Sequence, residues 1–81
     1  MLLDYIQAAM HQAKYEILSE DNSFYGEIPG FQGVWANAPT LETCREELQS
    51  ALEDWLLVRI ADRFSLPVVN NIDLNPKSEV A

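Results

Sequence analysis

The sequence has 81 residues, of which 48% are hydrophobic and 22% charged, and 13 acidic residues against 5 Lys and Arg give a formal net charge of −8. This length suits one small domain with a single core, and this hydrophobic content excludes a disordered chain. The acidity disfavours nucleic-acid binding, which depends on neutralising phosphates, and favours encounter with a basic partner.

Two further properties of the sequence concern its compartment. Cys44 is the single cysteine, so the chain cannot form an internal disulfide. No basic start followed by an unbroken apolar run marks a signal peptide or a transmembrane helix. We therefore expect a cytoplasmic protein without a membrane partner.

The first predicted element is an amphipathic helix over about residues 2–13. Its apolar residues recur at spacings of three and four, and they are Leu2, Ile6, Ala9, Met10 and Ala13. Residues 14–18 mix aromatic and β-branched residues with charged ones, which predicts a strand. The polar turn formers at 19–23 then predict a hairpin onto a second strand at 24–28.

A sharp connection and a third strand follow. Pro29 has no N–H to donate and ends the pairing, while Gly30 and Gly33 permit backbone angles that other residues avoid. Residues 34–36 therefore return as a third antiparallel strand, and residues 37–39 are predicted to end it.

A long core helix begins after Thr40, whose hydroxyl is suited to capping an early helical N–H. Its predicted apolar stripe consists of Leu41, Cys44, Leu48, Ala51, Leu52 and Trp55. Beyond Trp55 the apolar residues occupy more than one face, so we expect some to meet another element or another chain. Residues 67–69 predict a short last strand and residues 70–81 a polar tail.

Together these elements predict an α+β fold: an N-terminal helix, a three-stranded antiparallel meander, the core helix and a short fourth strand. The right-handed crossover rule places the fourth strand parallel beside a strand already in the sheet, with strand order 3-2-1-4. The N-terminal helix is expected to cover the sheet face that the core helix leaves open.

Three features of the sequence, taken together, resemble the amino-terminal domain of the HicB antitoxin family. They are an aromatic strand that ends in Ile28-Pro29 and is followed by glycine, the helix start Thr40-Leu41-Glu42, and Ala51-Leu52 later in that helix. The resemblance covers about residues 15–69. It implies a degraded ribonuclease H-like domain without catalytic activity, which binds and masks a small basic HicA-type toxin that cleaves messenger RNA.

The resemblance also carries expectations about organisation. Many HicB proteins have a carboxy-terminal DNA-binding domain, but only about a dozen residues follow Val69 here, with Lys77 their single cation. We therefore expect one HicB-like domain over residues 1–81, without direct nucleic-acid binding, that forms a homo-oligomer (a dimer or higher). The alternative is an orphan module of the same fold that binds another protein or only itself.

The candidate partner-binding residues lie on the predicted second and third strands and on the loop between them. Tyr and Trp are frequent in binding hot spots, and residues at the tip of a glycine-rich loop are suited to contact a partner. The set comprises Tyr25, Glu27, Phe31, Gln32 and Trp35.

No residue set predicts catalysis, a cofactor or a metal site. His11 has no second ligand at metal-binding spacing, and Cys44 lies on an apolar stripe where a thiol is unreactive. One alternative is a metal-dependent nuclease, which requires several carboxylates to converge. Its candidates are Glu16, Glu27, Asp54 and Asp73, for which solvent-facing structural roles are the favoured interpretation.

Overall fold

A computed structural model of the protein describes residues 1–75. It contains two helices and one three-stranded antiparallel sheet, so the α+β class is confirmed. The elements in chain order are α1 (Leu2–His11), β1 (Lys14–Ile17), β2 (Phe24–Glu27), β3 (Trp35–Ala38) and α2 (Leu41–Ala61). The strands are arranged in the order β1-β2-β3.

The β1–β2 hairpin is closed by a turn built on short polar side chains. The Leu18 N–H donates to the Ser23 carbonyl at 2.8 Å, and Asn22 adopts a φ of 57°, which Asn tolerates better than most residues. The Asp21 carboxylate accepts hydrogen bonds from the Ser23 N–H and hydroxyl at 3.0 and 2.6 Å. This turn sets the register in which Tyr15 lies opposite Gly26.

Two consecutive tight turns join β2 to β3. The Phe31 N–H donates to the Ile28 carbonyl and the Val34 N–H to the Phe31 carbonyl, both at 3.1 Å. Gly30 and Gly33 occupy the third position of these turns with φ values of 87° and 91°, as type II turns require. β3 then continues to Ala38, two residues beyond the predicted end, because it pairs with β2 as far as Phe24.

The long helix α2 forms the layer behind the sheet. The Thr40 hydroxyl accepts a hydrogen bond from the Thr43 N–H at 3.1 Å, which confirms the predicted cap. α2 packs against β2 and β3. The small residues Ala36 and Ala38 of β3 are buried on the face that α2 covers. The side chains that α2 buries recur every four residues, and they are Cys44, Leu48, Leu52 and Leu56.

The position predicted for the first helix was wrong. In the described part of the chain, α1 packs against α2 and its backbone approaches no strand, so it adds to the helical layer and leaves the opposite sheet face open. It ends at His11, and it buries Tyr5 completely, a residue outside the predicted stripe. The Tyr5 hydroxyl donates a hydrogen bond to the carbonyl oxygen of Pro67, which follows α2 in the chain, at 2.6 Å.

The fourth strand is not part of the sheet formed by residues 1–75, so the fourth place in the order 3-2-1-4 is unfilled. Backbone groups within residues 67–69 and next to them are bonded elsewhere. The Leu66 N–H donates to the Asn75 side chain at 2.6 Å, and that side chain donates back to the Leu66 carbonyl at 2.9 Å. Val69 instead pairs with Ile72 across a turn whose central residues, Asn70 and Asn71, have φ values of 47° and 63°.

The segment predicted as a polar tail is only partly described. Ile72 and Leu74 are half-buried and pack against the core, so residues 70–75 contribute to the fold. The rest of the predicted tail, residues 76–81, lies outside the described residues. Within residues 1–75, no helix is long and apolar enough to cross a membrane.

Candidate partner-binding site

The sheet face that points away from α2 carries most of the candidate residues. The register places Glu27 directly opposite Trp35 and Tyr25 opposite Asn37, so these four side chains share one face. Ala36 and Ala38 lie on the other face, buried against α2. The face with Tyr25 and Trp35 is open to solvent because α1 packs elsewhere.

All five predicted site residues line a single open groove with a volume of about 470 Å³. One wall is the β2–β3 face and the other is the pair of tight turns. The groove is lined by Tyr25, Glu27, Ile28, Pro29, Gly30, Phe31, Gln32, Gly33, Val34 and Trp35. The structure thus brings together residues that the sequence separates by up to ten positions.

The groove contains a stacked aromatic pair. The ring centroids of Tyr25 and Trp35 are 6.2 Å apart and their planes are 21° from parallel. Trp35 is 55% exposed, and the Tyr25 hydroxyl donates a hydrogen bond to Glu27 Oε1 at 3.1 Å. This pairing gives the groove an aromatic wall that ends at a carboxylate.

The charge around this wall is negative. Partial burial raises the pKa of the Tyr25 hydroxyl above its usual range, and the hydrogen bond and charge of Glu27, with the charge of Glu16, raise it further. In residues 1–75 the one ion pair joins the N-terminal amine to Asp4, so neither Glu16 nor Glu27 is paired with a Lys or Arg side chain. The sheet face therefore presents the carboxylates of Glu16 and Glu27 beside an exposed indole, with Lys14 opposite Glu27 in the register but beyond ion-pair distance.

Phe31 was wrongly predicted to be an exposed contact at the loop tip. It is only 4% exposed, and its ring packs against Tyr5 (centroids 6.2 Å apart) and Trp55 (5.2 Å apart). It anchors the groove to the core instead of presenting a side chain to a partner. No local pattern in the loop signals this burial, because both partner rings lie far away in the sequence.

Gln32 is the residue that occupies the exposed tip, as predicted. Its carbonyl accepts a hydrogen bond from the Trp55 indole N–H at 3.1 Å. The tip is therefore tied to α2 through its backbone, which leaves the Gln32 side chain available to a partner.

The residues considered for chemistry are dispersed. His11 is exposed, and Cys44 is fully buried with its thiol 3.6 Å from the Ala36 carbonyl oxygen. Among residues 1–75, no group of three or more His, Cys, Asp or Glu side chains could hold a metal ion. The carboxylates proposed for a nuclease site therefore do not converge.

A second groove lies between the two helices and is apolar. Its volume is about 240 Å³, and it is lined by Leu2, Leu3, Ile6, Glu53, Leu56, Leu57 and Ile60. Leu3 is 74% exposed and Leu57 65%. The excess of apolar residues after Trp55 in the sequence indicated part of this surface. The contribution of Leu2 and Leu3 was not predicted, because Leu2 was assigned to the core stripe of the first helix.

This arrangement defines a small α+β protein that presents two separate surfaces, an acidic aromatic groove and an apolar helical groove. The chain belongs to the UPF0150-like family, whose family model matches residues 4–67. The match spans both helices, the whole sheet and both grooves except for the first residues of α1.

The fold is also similar to that of an experimentally determined structure. The crystal structure of TTHA0281 from Thermus thermophilus shares 38% sequence identity over 94% of this chain and 94% of that chain, with a TM-score of 0.85. No curated protein was found to match the sequence.

Proposed function

We propose that this protein is a HicB-like antitoxin that binds and masks a small basic HicA-type toxin in the cytoplasm, without catalysing a reaction. The observation that carries the proposal is the acidic aromatic groove, in which a stacked Tyr25–Trp35 pair lies beside the unpaired carboxylate of Glu27. Such a surface is suited to a basic protein, and it repels the phosphates of nucleic acids.

The sequence features that resemble HicB occupy coherent places in the fold. The Ile28-Pro29 step forms the first tight turn beside the groove, and Thr40 caps the helix that supports the sheet. An antiparallel meander followed by a long helix is compatible with a degraded ribonuclease H-like origin. These features favour the family assignment to HicB-like antitoxins, and the groove gives that assignment a binding surface.

The net charge of the chain also favours a basic partner, because it affects the rate of association. A chain with a formal charge of −8 attracts a basic protein over distances of several Å at moderate salt, which raises the association rate. A toxin that binds messenger RNA needs a positive surface, and the acidic groove is complementary to it. We therefore expect the complex to form more slowly as ionic strength rises.

The apolar helical groove favours a homo-oligomer. Six of its seven lining residues are aliphatic, so burial of apolar surface is the main attraction that it offers. A second copy of the chain can bury Leu3 and Leu57 against the same apolar groove around a two-fold axis. The two grooves share no lining residue, so self-association leaves the acidic groove free.

The direct test is co-expression with the protein encoded by the neighbouring open reading frame. If that protein is a small basic ribonuclease, its expression alone should arrest growth, and this chain should relieve the arrest and co-purify with it. The variant Trp35→Leu should lose the rescue, whereas Glu46→Gln, an exposed change on α2, should keep it. A toxic neighbour that is neither bound nor relieved contradicts the proposal.

The alternative is an orphan module with the same fold that binds another protein or itself. A neighbourhood without any gene for a small basic protein favours this alternative. Light scattering then tests the self-association on its own: Leu57→Glu should convert the oligomer to a monomer, and Gln49→Glu on the outer side of α2 should not.

A further inference from the structure

The chain already contains one guanidinium held by aromatic rings. The Arg59 guanidinium carbon lies 4.7 Å from the Trp55 ring centroid and 5.1 Å from the Phe64 ring centroid. Its Nε–H donates to the Ser65 carbonyl at 3.0 Å. Two aromatic rings and one backbone oxygen acceptor thus contact this arginine, which α2 itself places near Trp55.

Trp35 offers the same elements without an occupant. In residues 1–75, no Arg or Lys side chain lies over its ring, although more than half of the residue is exposed. Tyr25 stacks beside it and extends the aromatic surface. Glu27, directly opposite Trp35 in the sheet register, supplies the oxygen acceptor.

The hydrogen bonding of Glu27 leaves one of its oxygen atoms free. Oε1 accepts the hydrogen bond from the Tyr25 hydroxyl, while Oε2 accepts none from the described residues. That bond holds one oxygen of the carboxylate at the edge of the Tyr25 ring. A fixed carboxylate beside an exposed indole is the combination that recognises a planar cation with N–H donors at its edge.

We propose that Trp35, Tyr25 and Glu27 form a receptor for the guanidinium group of an arginine side chain on the basic partner. The guanidinium stacks on the indole, and an N–H of its edge donates to the free oxygen of Glu27. The inference rests on the proposed function for the identity of the partner, and on the geometry of the groove for the chemistry that is recognised.

Arginine suits this site better than the other candidates. A lysine ammonium is more strongly hydrated and cannot stack as a plane on an indole. A nucleobase could stack on Trp35, but the phosphates attached to it would approach the unpaired carboxylates of Glu16 and Glu27.

The test uses the whole protein and the peptide acetyl-Gly-Arg-Gly-Arg-Gly-amide in calorimetric titration. Two matched peptides replace both arginines with citrulline, which is neutral and planar, or with lysine. The arginine peptide should bind, the lysine peptide should bind about fivefold more weakly, and the citrulline peptide should show no measurable heat. The indole N–H resonance of Trp35 should shift on binding of the arginine peptide, and that of Trp55 should not.

Three variants separate a built site from diffuse attraction. Trp35→Leu should weaken binding of the arginine peptide about tenfold and Glu27→Gln about fivefold. Glu46→Gln removes the same charge from the exposed side of α2, and its effect should stay below about twofold. All three side chains are exposed, so circular dichroism should show an unchanged fold.

Equal weakening by Glu27→Gln and Glu46→Gln would overturn the proposal, because it indicates attraction to net charge alone. Absence of binding by the arginine peptide at millimolar concentration, or tighter binding of a single-stranded oligonucleotide, would overturn it as well.

If the toxicity of the neighbouring protein is not relieved but the peptide results hold, the receptor stands and the antitoxin role fails. If relief is unaffected by Trp35→Leu and Glu27→Gln, the antitoxin role stands and the receptor fails.

Discussion

The hydroxyl of Tyr5 donates a hydrogen bond to the carbonyl oxygen of Pro67 at 2.6 Å, across 62 residues of sequence. Tyr5 lies on α1 and is fully buried, while Pro67 follows α2. The bond therefore ties the N-terminal helix to the segment that was expected to become a fourth strand. Burial raises the pKa of this hydroxyl above its usual value of 10.0, and the charge of Asp73 raises it further.

Replacing Tyr5 by Phe should lower the free energy of unfolding by about 1–2 kcal/mol, because the carbonyl of the half-buried Pro67 loses its donor. Urea denaturation at pH 7 measures the loss. Tyr15→Phe is the control, since the Tyr15 hydroxyl makes no hydrogen bond within the described residues, and it should cost less than about 0.5 kcal/mol. Equal losses in the two variants would contradict the role of the bond.

The same pair predicts a pH dependence with a defined sign. A hydroxyl whose folded pKa is raised contributes stability that is fully present below its ordinary pKa of 10.0 and is lost as the pH rises through the folded pKa. The Tyr5→Phe variant has no hydroxyl at this position, so its stability does not change with this titration. The stability difference between the wild type and Tyr5→Phe should therefore narrow above pH 10, and a difference that widens there would contradict the raised pKa.

Gly26 is required by a close approach inside the sheet. A Cβ at this position would lie 2.8 Å from two ring carbons of Tyr15 and 3.3 Å from the Cys44 sulfur. Gly26→Ala should therefore destabilise the fold by about 1–3 kcal/mol. Because the closest atoms belong to Tyr15, the double variant with Tyr15→Leu should cost less than the sum of the single changes, as measured by chemical denaturation. Additive costs would place the clash elsewhere.

The sequence predicted what local periodicity controls. Alternation placed Tyr25 and Glu27 on the face opposite Gly26, and the three-and-four spacing of α2 gave the buried Cys44 and Leu48. The groove itself was not predicted, because it depends on the register that places Trp35 opposite Glu27.

The failures share a cause, which is dependence on contacts distant in sequence. Phe31 is buried because Tyr5 and Trp55 meet it, and neither contact leaves a trace in the loop itself. Residues 67–69 have strand propensity, but the Tyr5 side chain bonds to the carbonyl of Pro67. The Asn75 side chain bonds to the N–H of Leu66, the residue before this segment. Propensity gives way to tertiary contacts in such short segments.

The Asn75 side chain accepts a hydrogen bond from the Leu66 N–H and donates one to the Leu66 carbonyl, as the backbone of a paired strand would. Asn75→Ala removes both hydrogen bonds and should lower the free energy of unfolding by about 1–2 kcal/mol. Native-state hydrogen exchange should show the Leu66 amide exchanging at least tenfold faster. Asn37→Ala, whose side chain bonds to Ser23 and Phe24 on the sheet, should leave that exchange rate unchanged. An unaltered Leu66 rate in Asn75→Ala would show that another group protects the amide.

The Cys44 thiol should be inert in the folded protein. It is fully buried, its S–H points to the Ala36 carbonyl oxygen at 3.6 Å, and burial, with a smaller effect from the charge of Glu47, raises the pKa of the thiol above 9.0. Reaction with a disulfide reagent at pH 8 should therefore be at least about a hundredfold slower than in urea, because it waits for opening of the fold. Gly26→Ala should accelerate it, since that variant loosens the sheet beside the thiol. Rapid modification of the wild type in buffer, at a rate insensitive to Gly26→Ala, would show that Cys44 is accessible from the native state.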